Sequence, residues 1–130
     1  MSEQKTNIYH YNGSVVRPFK RRFEDKREMA RRYFSMLSAF NGIEITKGEL
    51  NLLAHIAIRK GIASENSKKE YLDMYKTTMA TVDNTVSRLR KKKMLVKIDN
   101  KTRINPVIDI DFNTHNQYMF MFKCISDGTK

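Results

Sequence analysis

Residues 70–106 of the chain read EYLDMYKTTMATVDNTVSRLRKKKMLVKIDNKTRINP. The apolar residues in the middle of this segment recur at the helical spacings of three and four positions: Met79, Val82, Val86 and Leu89. From Leu95 onward the period changes to two, which is typical of strands. A first helix ending near Tyr75 and a second one capped by Thr77 or Thr78 leave almost no chain between them, so the two must turn sharply. The segment therefore predicts a helix-turn-helix followed by a two-stranded wing.

Two more helices are predicted before this segment. Helix 1 is expected at about 24–40, ended by Asn41-Gly42, because its apolar residues fall on one stripe. That stripe consists of Met29, Tyr33, Phe34, Met36, Leu37 and Phe40. Helix 2 is expected at about 47–60, opened by the capping box Thr46-Lys47-Gly48-Glu49 and stopped by Gly61.

The remaining boundaries follow from local signals. A second capping box, Ser67-Lys68-Lys69-Glu70, is predicted to open a short helix 3 that runs through Tyr75. The wing strands are predicted at 95–99 and 103–112, with the polar residues 100–102 as the tip. The dipeptide Asn12-Gly13 favours a short N-terminal hairpin, because both residues tolerate positive φ.

These elements predict an α+β fold: a winged helix-turn-helix with four helices, a β-wing and a C-terminal strand or short helix. The expected organisation is a basic N-terminal arm with a short hairpin at 1–23, the winged helix-turn-helix domain at 24–112, and a C-terminal apolar segment and tail at 113–130. A chain of this length holds one modest core.

Charge is concentrated in two blocks of the sequence. The 130 residues include 25 Lys and Arg against 14 Asp and Glu, a formal net charge of +11. Residues 17–32 hold eight basic and three acidic residues, and residues 59–103 hold thirteen and five. Such a charge favours an anionic partner, that is, nucleic acid, a membrane surface or an acidic protein. A membrane is disfavoured because the basic residues of helix 4 lie opposite an apolar stripe that the core already needs.

The outward face of helix 4 has side chains suited to reading base pairs. Asn can make a bidentate contact to adenine, Arg to guanine, and Thr can contact the thymine methyl. The candidate recognition-helix residues are Thr78, Thr81, Asn84, Thr85, Ser87, Arg88, Lys91 and Lys92. On the wing and near it, the candidate contacts to backbone phosphates are Lys97, Lys101 and Arg103.

The segment from Glu70 to Lys97 resembles the winged helix-turn-helix core shared by MarR-like regulators and RepL-type plasmid and phage replication initiators. Two features favour the initiators: Ile104-Asn105-Pro106 at the end of the wing and the apolar run 117–122 led by Tyr118. The resemblance implies origin binding and recruitment of host replication proteins. Lys76 and Lys92 stand where the family usually has glycine. A left-handed lysine would be strained by roughly 1 kcal/mol, so either these turns differ from those of the family or the register is shifted by one residue.

Catalytic patterns are absent from the sequence. His10, His55 and His115 are far apart and have no metal-ligand spacing, and there is no Gly-rich phosphate loop or paired-Cys motif. We therefore predict no enzyme activity, no cofactor and no metal site. The lone Cys124 and the lack of a signal or membrane-spanning segment predict a cytoplasmic protein.

Three functions remain open. The first is sequence-specific binding of double-stranded DNA, as a replication initiator or transcriptional regulator, by a homodimer formed through helix 1 and residues 118–125, with host replication or transcription proteins as further partners. The second is non-specific binding of nucleic acid, including RNA, which is suggested by aromatic residues in or near the block 17–32: Tyr9, Tyr11, Phe19 and Phe23. The third is a structural or interaction module of a phage or mobile element that uses the fold for docking.

Overall fold

The computed structural model describes residues 25–112 and the backbone of two short strands at 9–11 and 14–16. The elements in chain order are β1 (Tyr9–Tyr11), β2 (Ser14–Val16), α1 (Lys26–Phe40), α2 (Lys47–Ile58), α3 (Glu65–Tyr75), α4 (Met79–Lys91), β3 (Leu95–Ile98) and β4 (Lys101–Ile104). This described part of the chain is α+β, with four helices followed by a two-stranded antiparallel hairpin. The order is compatible with a winged helix.

Both ends of the chain extend beyond the described residues. β1 and β2 pair antiparallel, with Tyr9 opposite Val16 and Tyr11 opposite Ser14, in agreement with the predicted N-terminal hairpin. The rest of the basic arm, and the C-terminal segment 113–130 with its predicted strand or short helix, lie outside the described residues.

The first helix begins at its predicted place and buries most of its predicted stripe. The N-cap is Asp25, whose carboxylate accepts a hydrogen bond of 2.7 Å from the backbone N–H of Glu28. Phe34 is fully buried, and Met29, Tyr33 and Leu37 pack against the core from the side. Phe40 is a correction: it is 66% exposed, because it is the last residue of α1 and the chain turns away at Asn41.

The core is centred on α2, which contacts α1, α3, α4 and β4. Its predicted capping box is confirmed, since the Thr46 hydroxyl accepts from the Glu49 N–H and the Glu49 carboxylate accepts from the Thr46 N–H. Leu52, Leu53 and Ile56 are fully buried. Burying side chains of this size contributes about 1.5–3 kcal/mol each. Because α2 has these buried residues and contacts four other elements, it lies at the centre of the core.

The start of α3 differs from the prediction. The helix begins at Glu65 with Ser64 as its N-cap, three residues before the predicted cap Ser67. Ser67 lies inside the helix, and its buried hydroxyl donates to the carbonyl oxygens of Ser64 and Ile62. Both serines have cap chemistry, and Ser64 is the cap because its hydroxyl accepts from the Ser67 N–H, directly after Ala63, whose own N–H is bonded to the hairpin.

The hairpin is shorter than predicted. Its turn is Asp99-Asn100, both at positive φ, and Leu95 pairs with Ile104. The predicted tip at 100–102 is therefore wrong by about one residue. The predicted second strand through 112 is also wrong, because β4 ends at Ile104. Pro106 has no N–H to donate to a ladder, and the Asn105 side chain accepts from the Val107 N–H in a local turn.

A third extended segment borders the hairpin. Ile62 forms an isolated antiparallel bridge with Arg103, and the Ala63 N–H donates to the Thr102 carbonyl at 2.8 Å. On the same edge, the Ile104 N–H donates to the Gly61 carbonyl at 2.8 Å. β4 is thus flanked by β3 on one side and by residues 61–63 on the other, so the hairpin is fixed to the chain between α2 and α3.

Candidate nucleic-acid interface

The turn between α3 and α4 is built from three residues. Lys76 caps α3 in the left-handed conformation, with φ of 55° and ψ of 49°. Thr78 then caps α4, because its hydroxyl accepts from the Thr81 N–H. The left-handed residue of this turn is therefore Lys76, so the turn has the conformation of a glycine position although a lysine occupies it. At the other glycine-like position the left-handed residue is not Lys92, with φ of −83°, but Lys93, with φ of 64°.

One side of α4 carries exposed polar side chains without internal partners. Asn84, Ser87 and Lys91 are exposed, and their side chains have no hydrogen bond or ion pair with other residues of the described segment 25–112. They lie three and four positions apart, so they occupy one face. Val82, Val86 and Leu89 occupy the opposite, buried face. This amphipathicity leaves the polar face available for a ligand.

The threonines of the predicted site are committed to the protein's own structure. The exposed hydroxyls of Thr78 and Thr81 lie 3.0 Å apart and share a hydrogen bond at the start of α4. Thr85 is buried, and its hydroxyl donates to the Thr81 carbonyl at 2.8 Å. Thr85 was predicted to be a recognition-helix residue on the outward face. The structure instead places it under Arg88, where it accepts a hydrogen bond of 3.1 Å from Nη2.

Arg88 and Lys92 both contact Glu49, a carboxylate that is fully buried. The Arg88 Nε lies 3.2 Å from Oε2 of Glu49, and the Lys92 Nζ lies 2.6 Å from Oε1 and 2.7 Å from the Glu44 carbonyl oxygen. Lys92 is thereby directed back toward α2. The Arg88 side chain remains 50% exposed, so part of its guanidinium faces outward while the ion pair fixes its direction.

The charge of Glu49 is stabilised where it is buried. Burial raises the pKa of the Glu49 carboxyl, but hydrogen bonds from Lys92 and Thr46 outweigh burial and hold the pKa below its usual value. The carboxylate is therefore ionised at neutral pH, and it offsets one of the two cations beside it.

The single acidic residue of α4 is also neutralised. Asp83 lies 3.2 Å from the Lys68 Nζ of α3. This ion pair joins α3 to α4, and it leaves the exposed face around Asn84 and Lys91 without an uncompensated negative charge from α4.

The predicted wing residues divide into two groups. Lys97 and Lys101 are exposed on β3 and β4, next to the turn. Arg103 is only partly exposed, and its buried Nε has no hydrogen-bond partner among the described residues. Its charge acts on the carboxyl of Asp109. Burial raises the pKa of Asp109, the Arg103 charge opposes this rise, and the Asp111 charge adds to it. Arg103 therefore belongs in part to the base of the hairpin.

A basic groove runs between the hairpin and the connection from α2 to α3. It is open, with a volume of about 560 Å³, and five of its lining residues are cationic. These are Arg59, Lys60, Lys68, Lys97 and Lys101, beside one acidic residue, Glu65. The first three were not predicted as site residues. The pairing of Ile62 with Arg103 brings them to the wing, and no local pattern in the sequence signals that long-range contact.

The C-terminal part of the basic block 17–32 lies against α2. The Arg27 Nη1 donates to Nδ1 of His55 at 2.9 Å, and the other ring nitrogen, Nε2, donates to the Ser67 carbonyl at 2.9 Å. Burial, followed by the charge of Arg27, lowers the pKa of His55, so the ring is neutral. Arg31 donates to the Asn51 side-chain oxygen at 3.4 Å. Residues 17–24 lie outside the described residues.

The described residues contain no cluster of three or more His, Cys, Asp or Glu that could hold a metal ion. In the same part of the chain, no helix is both long and apolar enough to cross a bilayer. Comparisons of the chain with protein-family models, curated proteins and solved structures found no match.

Proposed function

We propose that this protein is a winged helix-turn-helix that binds double-stranded DNA with sequence preference, with α4 in the major groove. The observation that carries the proposal is the exposed face formed by Asn84, Ser87 and Lys91, whose side chains have no partner among the described residues. A helix that reads base edges needs such free donors and acceptors on a rigid, amphipathic scaffold. The buried opposite face of α4 supplies the scaffold.

Arg88 is the guanine-reading candidate of this surface. Its Nε is held by Glu49 and its Nη2 by Thr85, so the direction of the guanidinium is set before any ligand arrives. A side chain that is ordered in advance loses less conformational entropy on binding. Thr85 and Lys92 act in this proposal through Arg88 and Glu49 and make no base contact.

The basic groove and the wing supply contacts to the DNA backbone. Lys97 and Lys101 lie on the hairpin, and Lys60 lies across the groove from it. Arg59 and Lys68 also line the groove, but they share their charge with Glu70 and Asp83. Phosphate contacts fix the register of a protein on the duplex and carry no sequence information themselves. The division into a polar helix face and a cationic groove is the division that specific DNA binding requires.

The biological role that we propose is replication initiation or transcriptional regulation, on the resemblance of residues 70–106 to RepL-type initiators and MarR-like regulators. A homodimer reading two half-sites belongs to the same proposal, because two-fold symmetry is usual for such proteins. Sedimentation of the protein with and without its duplex tests this part, and a monomer on the DNA would contradict it.

The experiment that tests DNA reading begins with selection of bound duplexes from a random library. Affinities of the selected and a scrambled duplex are then measured by fluorescence anisotropy for the wild type, Asn84→Ala and the control Lys69→Ala, which removes an exposed cation from α3. We expect Asn84→Ala to reduce discrimination between the duplexes by about 5- to 150-fold, the range of one good base contact. Lys69→Ala should leave discrimination unchanged.

Three outcomes would contradict the proposal. Equal affinity of the wild type for selected and scrambled duplexes at physiological salt would favour non-specific binding. Unchanged discrimination in Asn84→Ala would place base reading elsewhere. Failure to bind any duplex at low salt, with a stable protein complex instead, would favour a docking module.

A further inference from the structure

A second cationic surface lies between α1 and α2. It is an open cleft of about 210 Å³, lined by three cations, two polar residues and one apolar residue, and no acidic side chain is among them. The lining consists of Arg31, Arg32, Ser35, Lys47, Leu50 and Asn51. No sequence motif and no part of the proposed α4 interface accounts for this cleft.

The polar groups in this cleft are arranged as donors. Asn51 is buried, with 9% exposure, and its side-chain oxygen accepts from the Arg31 Nη1 at 3.4 Å. That bond occupies the oxygen of the amide, and Nδ2 of Asn51 has no partner among the described residues. The remaining guanidinium N–H groups of Arg31 and the exposed cations Arg32 and Lys47 add only donors. The cleft is therefore suited to an anion that accepts several hydrogen bonds.

The cleft lies on a different side of α2 from the contact with α4. Asn51 follows Glu49 by two residues of α2, and Lys47 precedes it by two, so both are rotated by about 160–200° from the side chain that contacts Arg88 and Lys92. The diameter of a helix, about 10 Å, separates the two sides.

We propose that this cleft binds a backbone phosphate of a second nucleic-acid segment, so that the protein has two separate nucleic-acid surfaces. The guanidinium fork matches the oxygens of phosphate. Three cations in one cleft favour a partner with several negative charges, such as the backbone of a nucleic acid. An acidic protein would need apolar area at the centre of its interface, and the cleft offers Leu50 alone among its lining residues. The identity of the polymer rests on the proposed function, whereas the anion site does not.

The test uses the full-length protein labelled with ¹⁵N and titrated with a short duplex of random sequence. Two sets of signals are followed: those of Asn84 and Lys91 on α4, and those of Arg32, Lys47 and the Asn51 side-chain amide at the cleft. The same titration is run on the double variant Arg32→Gln/Lys47→Gln. Both residues are exposed, so the fold should tolerate the change. The control Lys26→Gln/Lys69→Gln removes the same charge elsewhere on the surface.

We expect the cleft signals to move in the wild type and in the control. In the cleft variant, the dissociation constant reported by these signals should rise at least about tenfold, while the α4 signals respond as before. Cleft signals that stay fixed during the titration would overturn the proposal, whatever the α4 signals do. Cleft signals that move as far with inorganic phosphate of equal charge would limit the site to a free ion and would also overturn it. Fixed α4 signals with moving cleft signals would contradict the α4 interface alone.

Discussion

At the scale of single residues, Glu49 joins the cap of α2 to the cations of α4. Replacing it with Gln keeps the shape but removes the charge beside Arg88 and Lys92 and weakens the capping box. Loss of one partner from a buried pair costs about 3–5 kcal/mol. Because both cations here can turn toward water, we expect Glu49→Gln to lower the free energy of unfolding by about 1–3 kcal/mol, measured by urea denaturation.

The pH dependence of this effect has a definite sign. The pKa of Glu49 is lowered in the folded protein, so its charge stabilises the fold above the ordinary value of 4.5, and this stabilisation is lost as pH falls through the folded pKa. The difference between wild type and Glu49→Gln should therefore shrink in acid. The matched control is Glu65→Gln on an exposed first-turn residue of α3, which should change stability by less than about 0.5 kcal/mol. Equal losses in the two variants would contradict the role of Glu49.

His55 predicts a second pH dependence, at higher pH. Burial and the Arg27 charge lower its pKa below the ordinary value of 6.5. Below that pH the unfolded chain takes up a proton that the folded protein does not, so the free energy of unfolding should decrease from about pH 6.5 downward until the folded pKa is reached. Urea midpoints between about pH 7.5 and pH 5 measure this slope.

Two variants separate His55 from other titrating groups. His55→Gln should abolish most of the slope, whatever its effect on stability at neutral pH. Arg27→Gln should reduce the slope, because it removes the second cause of the lowered pKa. A wild-type slope in His55→Gln would assign the pH dependence to other residues.

At the scale of elements, the turn between α3 and α4 includes a strained residue. Lys76 adopts φ of 55°, a conformation that costs a residue with a side chain about 1–2 kcal/mol and glycine almost nothing. Lys76→Gly should therefore raise the free energy of unfolding by about 0.5–1 kcal/mol, after allowance for the greater entropy of glycine in the unfolded chain. The control Lys69→Gly, inside α3, should lower it by about 1 kcal/mol. A loss of stability in both variants would contradict the left-handed turn.

The boundaries of the elements show how far the sequence could predict the structure. Periodicity and capping placed α2 and α4, because the Thr46 box and the Val82 stripe are local signals. The start of α3 was predicted wrongly, because the Ser67 box was taken as the cap whereas Ser64, which has the same cap chemistry, caps the helix. The end of β4 was missed because alternating apolar residues continue past Asn105 even though the ladder stops there.

For the candidate site, periodicity identified the exposed positions but not the internal contacts. Asn84 and Lys91 are exposed where a helical wheel puts them. The contacts of Arg88 and Lys92 with Glu49 join residues about forty positions apart, and nothing in either local sequence encodes them. Long-range pairing therefore decided which basic residues of the predicted face are free.

At the scale of the whole molecule, cationic side chains of the described residues lie on separate surfaces. Within the described residues 25–112, cationic side chains gather on the α4 face, in the groove beside the hairpin and in the cleft between α1 and α2. Internal carboxylates reduce the charge on α4, through Glu49 and Asp83. In the groove, Arg59 and Lys68 are paired with Glu70 and Asp83, and Lys60, Lys97 and Lys101 remain as exposed cations. Affinity is therefore expected to come mainly from the groove and selectivity from α4.

This division predicts the behaviour of the wing variant Lys97→Gln/Lys101→Gln. Both residues are exposed and distant from the core, so folding should be unaffected. Affinity should fall by a similar factor for selected and scrambled duplexes, and the slope of log affinity against log salt should decrease in magnitude by about 1.8, since each lost phosphate contact contributes about 0.9. Asn84→Ala should do the reverse, with a nearly unchanged salt slope and reduced discrimination. A wing variant that lost discrimination while keeping its salt slope would show that the hairpin contacts base edges. The assignment of base contacts to α4 and of phosphate contacts to the groove would then be wrong.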